Sequence, residues 1–199
     1  MYICSAKKHY DLLIDENNDP VYDPPELKRY MDGWDGDDLI NALSADNEKS
    51  VLEIGVGTGR LAVRVCGLCK KFTGIDFSPK TIRRAAENLA AFSNINLICA
   101  DFTRYRFRET FDAIYASLVF FHIKNKRAAI EKIFSLLNRG GVFALSVDKN
   151  ADRFLSYGTR KIRLYPDDAQ KMKSALLDAG FSIEKIVPTE KAFLFLCKK

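Results

Sequence analysis

The residues best suited to chemistry cluster around one turn. Glu53 sits inside the apolar run Val51–Ile54, and glycine follows at every second position, Gly55, Gly57 and Gly59, before an amphipathic segment that begins at Leu61. A charge inside a central strand is expensive to bury without a partner, so Glu53 needs a reason to be there. Glycines lack a Cβ and so let the main chain turn sharply and a ligand approach it closely. Strand, tight turn and helix start in this order is where an open α/β sheet holds a nucleotide-like ligand. A dinucleotide-binding turn spaced G-x-G-x-x-G would need its third glycine at position 60, where Arg60 stands. No Gly-Lys-Ser/Thr follows, so the phosphate-loop pattern fails as well.

Two more acids sharpen this reading. Asp76 ends the next apolar run, Lys71–Ile75, and Asp101 directly follows Ile95–Ala100. Each alone reads equally well as a pre-helix residue or a turn former. Three strands side by side in the order 3-2-1 would set Glu53, Asp76 and Asp101 in a row along their carboxyl ends. At roughly 4.8 Å per strand the row is about 10 Å long. That suits one extended nucleoside-like ligand, with a cationic amine near Glu53, a ribose diol on Asp76 and an adenine amine on Asp101.

The rest of the chain supplies elements that can position such a row. Residues 1–25 are polar and broken by Asp19-Pro20 and Asp23-Pro24-Pro25, which predicts a loop or lid, and short helices are expected at about Glu26–Met31 and after Gly36. From Val51 onward strands and helices alternate as in a parallel sheet with covering helices. The strands are Val51–Gly55, Lys71–Ile75, Ile95–Ala100, Phe111–Ala116 and Gly141–Val147, and the helices are about Gly59–Leu68, Pro79–Phe92 and Asn125–Asn138. Ser78 and Pro79 mark the start of the second of these helices, and Arg139-Gly140-Gly141 predicts a left-handed stop for the third. A helix at about Pro166–Ala179 precedes two strand-like runs, Phe181–Val187 and Ala192–Cys197. Only four residues, Pro188–Lys191, separate these runs, so they must form an antiparallel hairpin and the sheet must be mixed.

Together, Glu53-x-Gly55-x-Gly57-x-Gly59, Gly74-Ile75-Asp76-Phe77-Ser78-Pro79 and Ala100-Asp101-Phe102 resemble the class I S-adenosylmethionine-dependent methyltransferases, over about Ser50 to Cys197. The resemblance implies an α/β, Rossmann-like, doubly wound seven-stranded sheet in the order 3-2-1-4-5-7-6, with strand 7 antiparallel and helices on both faces. It implies S-adenosylmethionine as cofactor and S-adenosylhomocysteine as product. Glu53, Gly55, Val56, Gly57 and Gly59 would meet the methionine part, Asp76 the ribose, Phe77 the adenine face, and Asp101 with Phe102 the adenine edge. The segment Ser117-Leu118-Val119-Phe120-Phe121-His122 is similar to the loop that passes the sulfonium in small-molecule members such as the menaquinone-biosynthesis type. Ser117 and Leu118 are therefore expected cofactor neighbours. His122 is a candidate base or orienter, or else a histidine bonded to nearby backbone.

The same resemblance excludes some acceptors. Ser117-Leu118-Val119-Phe120 is not the Asn/Asp-Pro-Pro-aromatic motif of amino methyltransferases acting on nucleic-acid adenine or protein glutamine, and the paired glutamates of protein arginine methyltransferases are missing. Arg104-Tyr105-Arg106-Phe107-Arg108 could stack on RNA but reads better as a solvated edge, and a net charge of +5 makes nucleic acid an unlikely partner. Tyr10, Tyr22, Tyr30 and Trp34 make residues 1–47 a candidate lid over a core of 48–199, all within a single 199-residue domain. Asp148–Tyr165 is short, which favours a small methyl acceptor. The alternatives are a non-catalytic cofactor-binding protein, an RNA methyltransferase and a nicotinamide-dependent oxidoreductase.

Composition sets the outer bounds. A hydrophobic content of 47% with 29% charge is that of a soluble globular protein. The absence of a signal segment or membrane-length run predicts a cytoplasmic protein, monomer or homodimer. Cys66 and Cys69 form an isolated CxxC among five cysteines, so no metal site is expected.

Overall fold

A computed structural model describes all of residues 1–199. Seven strands form the central sheet: β2 (Ser50–Ile54), β3 (Lys71–Asp76), β4 (Ile95–Cys99), β5 (Phe111–Ala116), β6 (Leu137–Asp148), β9 (Ser182–Pro188) and β10 (Ala192–Lys198). Their order is β4-β3-β2-β5-β6-β10-β9, and β10 alone runs antiparallel to its neighbours. In order of occurrence within this sheet that is 3-2-1-4-5-7-6. Each parallel crossover carries a helix or a helical turn, so both faces are covered and the inner strands read as near-continuous apolar runs.

Side-chain alternation divides the core into two layers. Leu52 and Ile54 point into one with Phe143, Leu145 and Ile130, under α6 (Lys126–Leu136) and α7 (Ala169–Asp178). Val51 points into the other with Phe72, Tyr115 and Leu39, against α3 (Gly36–Ala42), α4 (Ala62–Val65) and α5 (Pro79–Asn88). Period two along β2 then places Glu53 on the Val51 side. Register sets it beside Tyr115 of β5 and Gly74 of β3.

The helix starts follow the side-chain chemistry. Ser78 Oγ accepts from the Thr81 amide at 3.1 Å with Pro79 at the first helical position, and Asp168 accepts from the Lys171 amide at 2.9 Å. One boundary differs from expectation. Helix α6 ends at Leu136 and the chain enters β6 at once, so Gly140, at φ +78°, is not a helix stop. It lies where the β5–β6 register shifts, and a Cβ on the adjacent Gly141 would stand 2.9 Å from the Asn138 carbonyl oxygen. The glycine pair serves an irregular strand entry because Leu137 is drawn into the core beside Phe111.

The N-terminal segment is more ordered than the sequence suggested. Before α2 (Pro25–Asp32) lie β1 (Tyr2–Cys4), α1 (Ala6–Asp15) and a 3₁₀ turn at Pro20–Tyr22. The signal for α1 was present in Ser5, which accepts from the Lys8 amide, ahead of His9, Tyr10, Leu13 and Ile14 at helical spacing. Strand β1 pairs with β8 (Arg160–Arg163), which hairpins with β7 (Phe154–Tyr157), so part of the Asp148–Tyr165 segment is a second, three-stranded sheet.

Arg160 fastens this sheet to α1. Its guanidinium bonds both oxygens of Glu16 at 2.5 and 2.7 Å and donates from Nε to Nδ1 of buried His9 at 2.9 Å. Burial and the neighbouring guanidinium lower the His9 pKa to about 4, so the imidazole stays a neutral acceptor. Replacing Arg160 with Ala is expected to cost about 1–3 kcal/mol, confined to this subassembly. Hydrogen exchange should quicken at β1, β7 and β8 amides while the central sheet keeps its protection; uniform acceleration would show that the clamp supports the whole fold.

Candidate active site

The turn after β2 is shaped by its glycines. Gly55, Gly57 and Gly59 have φ of +74°, +57° and +98°, in the left-handed region that side chains avoid. A Cβ on Gly55 would stand 2.7 Å from Val119 Cγ2, so glycine is required where the 117–119 loop passes. That loop is itself tight, with Leu118 at φ +56°. Gly57 faces open space, and its amide donates to Asp76 Oδ2 at 3.2 Å. Gly59 packs on Leu89 and lines neither cavity described below, so it serves strand-to-helix packing.

Asp76 closes the seam between β2 and β3. Its second oxygen accepts from the Ser78 amide at 2.9 Å, and burial pushes its pKa upward against these bonds. Each oxygen retains a lone pair for a further donor. Glu53 is 4% exposed and takes the Tyr115 hydroxyl on Oε2 at 2.8 Å. Burial raises its pKa to about 8, only partly countered by Tyr115 and by the charge of Arg60. Arg60 is held by both oxygens of Asp35, with Asp32 at 3.9 Å, and Ser117 Oγ donates to Asp35 at 2.5 Å.

Two cavities adjoin along this edge. One of about 300 Å³ is bounded by Glu53, Val56, Gly57, Arg60, Ser117 and Leu118, and roofed by Tyr10, Leu13, Ile14, Asp23, Leu27 and Met31. The other, of about 770 Å³, is bounded by Ile75, Asp101, Phe102, Ala128 and Lys132. Gly55, Asp76, Phe77, Val119 and His122 line both. Asp76 therefore stands at the waist of one cleft running from Glu53 to Asp101. Asp101 is exposed, and its Oδ1 accepts from the Thr103 amide and hydroxyl at 2.8 and 2.7 Å. Phe102 is buried, with the Lys132 ammonium 4.8 Å from its ring centroid.

His122 and Tyr10 meet at the waist, with the hydroxyl 2.9 Å from Nε2. Burial, more than the neighbouring His9 and Lys126, lowers the His122 pKa to about 4, and burial raises that of Tyr10. With the imidazole neutral, its tautomer sets which of the pair donates, and Nδ1 is buried with no partner in the protein. Tyr10 also sets its ring edge-on to Phe77.

Three expected lid residues lie elsewhere, and of these Tyr22 is exposed and borders neither cavity. Tyr30 and Trp34 pack edge to face against each other, with the Lys191 ammonium 4.3 and 5.1 Å from their centroids, and neither borders the cleft. Alternation on short α2 turns Leu27 and Met31 to the cavity and Tyr30 away. Asp23, Asp35, Arg60, Leu13 and Ile14 were not singled out from the sequence. The helical spacing of Tyr10, Leu13 and Ile14 after Ser5 was the signal for two of them. Cys66 and Cys69 are buried, and burial raises their thiols to about 12 and 11. The Cys69 thiol points to the Cys66 carbonyl at 3.8 Å.

Comparison with known proteins agrees with this geometry. Residues 51–141 match the family described as "Methyltransferase domain". Over that stretch, just under half of its length, the chain is similar to a methyltransferase domain. Nodulation protein S of Sinorhizobium fredii is 29% identical over 118 residues, 57% of this chain and 55% of the relative. Malonyl-[acyl-carrier protein] O-methyltransferase 1 of Ilyobacter polytropus is 29% identical over 110 residues, 53% of this chain and 40% of the relative. The chain thus spans about half the length of the curated relatives it matches. The likeness of fold extends further. The crystal structure of N-methyltransferase NodS from Bradyrhizobium japonicum WM9 in complex with S-adenosylhomocysteine superposes with a TM-score of 0.76 over 97% of both chains, at 20% identity.

The Glu53 environment gives a pH test. The folded carboxyl titrates near 8 against 4.5 in the open chain. Its contribution to stability is complete below pH 4.5 and is lost as pH rises through 8. Glu53→Gln should therefore melt increasingly above the ligand-free wild type across that interval, by about 2–4 °C per kcal/mol, and the gap should level off above it. A gap independent of pH would return Glu53 to the ordinary carboxylate range.

Proposed function

We propose that this protein transfers a methyl group from S-adenosylmethionine to a small-molecule acceptor. The observation that carries the reading is the single cleft that brings Glu53, the Gly55–Gly57 turn, Asp76, Phe77, Asp101 and Phe102 together along one sheet edge. The residues fit the cofactor. Buried Glu53, short of a cation, suits its ammonium or sulfonium; Asp76 has a free lone pair on each oxygen for a diol; Phe77 offers a face to adenine, and Asp101 with Phe102 would meet its edge. The matched methyltransferase family and the fold shared with an S-adenosylhomocysteine-bound N-methyltransferase support the same assignment.

When bound, the cofactor supplies a methyl group on sulfur that is already a good leaving group, so the protein's task is alignment and exclusion of water. The roof of Leu13, Ile14, Leu27 and Met31 excludes water. Tyr10 holds its hydroxyl at the waist, and His122 fixes that hydroxyl by accepting its hydrogen bond at Nε2. In this reading His122 orients Tyr10 and is not itself the base, because its one lone pair is engaged. Residues 1–47 form the cover of a core at 48–199 and act with it as one cytoplasmic unit.

Asp76→Ala is expected to weaken S-adenosylhomocysteine binding by about 1.5–3 kcal/mol through lost charge-assisted hydrogen bonds, read by titration calorimetry. An unchanged dissociation constant would remove Asp76 from the ribose site, and binding of NAD in place of both S-adenosyl compounds would overturn the whole reading.

A further inference from the structure

The roofed cavity has a charge character that the cofactor does not use up. Its titratable walls are Tyr10, Asp23, Glu53, Arg60, Asp76 and His122. Arg60 is the one permanent cation, and Asp35 already grips it with both carboxylate oxygens. His122 is neutral at physiological pH. Glu53 and Asp76 belong to the cofactor row. Asp23 remains: it is half-buried, has no hydrogen-bond or ion-pair partner in the protein, and lies on the roof among Pro20, Leu27 and Met31. Its pKa is raised by burial and by the charge of Asp19, against Lys28 and Arg60.

The position of Asp23 is fixed by what precedes it. Asp19 caps the 3₁₀ turn Pro20–Tyr22 through the Val21 amide at 3.2 Å. The same carboxylate takes Asn88 Nδ2 at 3.0 Å and Arg84 at 3.2 Å, and Asn88 also bonds the Thr58 carbonyl in the glycine turn. The roof is therefore tied to the turn immediately before Asp23.

Resting on the methyltransferase reading above, we infer that Asp23 is the acceptor-binding carboxylate and that the acceptor is an amine on an apolar body. A carboxylate acceptor would meet acidic walls with no free cation among the lining residues, an unpaired burial that is strongly disfavoured. An ammonium would instead pair with Asp23 while its carbon chain lies on Leu27 and Met31. Asp23 then takes one proton from the ammonium to give the free amine and a carboxylic acid. The amine lone pair forms the new bond to the methyl carbon as the carbon–sulfur bond breaks, and that electron pair stays on sulfur. The product is an N-methylammonium.

The test uses the full chain saturated with S-adenosylhomocysteine and three matched probes, n-hexylamine, n-hexanol and n-hexanoate, followed by calorimetry at neutral pH. The amine is expected to bind at least roughly tenfold more tightly than the carboxylate. Asp23→Asn, with its melting temperature checked, should remove that preference while leaving S-adenosylhomocysteine affinity in place. Amine affinity no greater than carboxylate affinity, including no binding by either, overturns the inference. A preference that survives in Asp23→Asn overturns the role of Asp23. Failure of S-adenosylhomocysteine itself to bind would be a different result, striking the methyltransferase reading on which the inference rests.

Discussion

The structure depends on keeping one carboxylate where carboxylates are costly. Asp76 is half-buried at the seam of β2, β3 and α5, and its desolvation is met by backbone amides of Gly57 and Ser78. Those bonds come from both flanks of the seam, so the acid fixes the glycine turn and the start of α5 relative to each other. Gly57 can present its amide only because φ is positive there. Without the turn Asp76 would be an unpaired, half-buried charge, and without Asp76 the turn would lose the acceptor that holds it. The site and the local fold are in this sense one structure.

Three further aspartates tie the N-terminal segment onto that seam. Asp11 accepts from Ser78 Oγ at 2.7 Å and faces the Lys80 amide at the start of α5, where a negative charge is favoured. Asp19 holds Arg84 and Asn88 farther along the same helix. Asp35 holds Arg60 and Ser117 on the opposite side of the turn. The apolar contribution is smaller: His9 is the only fully buried residue of α1, and α2 has none. The roof is therefore held largely by polar links to the loops that line the cleft.

How legible this was from sequence follows from where the information lies. The sheet could be read because long crossovers force parallel pairing and the four residues Pro188–Lys191 force a hairpin, and Gly55, Gly57, Asp76 and Asp101 reach one edge because their strands are adjacent. The α6–β6 junction was misread because Gly140 carries the same local signature at a helix stop and at a strand irregularity, and only the burial of Leu137 beside Phe111 distinguishes them. Aromatic content drew attention to Tyr30 and Trp34, yet their ring faces are satisfied by Lys191, far along the chain. No local pattern encodes that contact. The second sheet was missed for a similar reason, since β1 has three residues and pairs with β8 across most of the sequence.

The two-chambered cleft places a demand on motion. A ligand reaching from Glu53 to Asp101 must pass the waist lined by Gly55, Asp76, Phe77 and His122, where Tyr10 touches both Phe77 and His122. Gly55 cannot retreat from Val119, and Asp76 is fixed by two amides, so the sheet side of the waist is rigid. The side that can yield is α1, which has a single fully buried residue, His9, and is attached by polar links from His9, Asp11, Asp15 and Glu16 and by the Tyr10–His122 bond. Elements with few buried apolar contacts open at the least cost. Lifting α1 also separates Tyr10 from His122 and opens Leu13 and Ile14 from the first cavity, so passage of a long ligand and exposure of the roofed chamber are one movement. The side chain that orients the waist is thus carried by the element that must move to fill it.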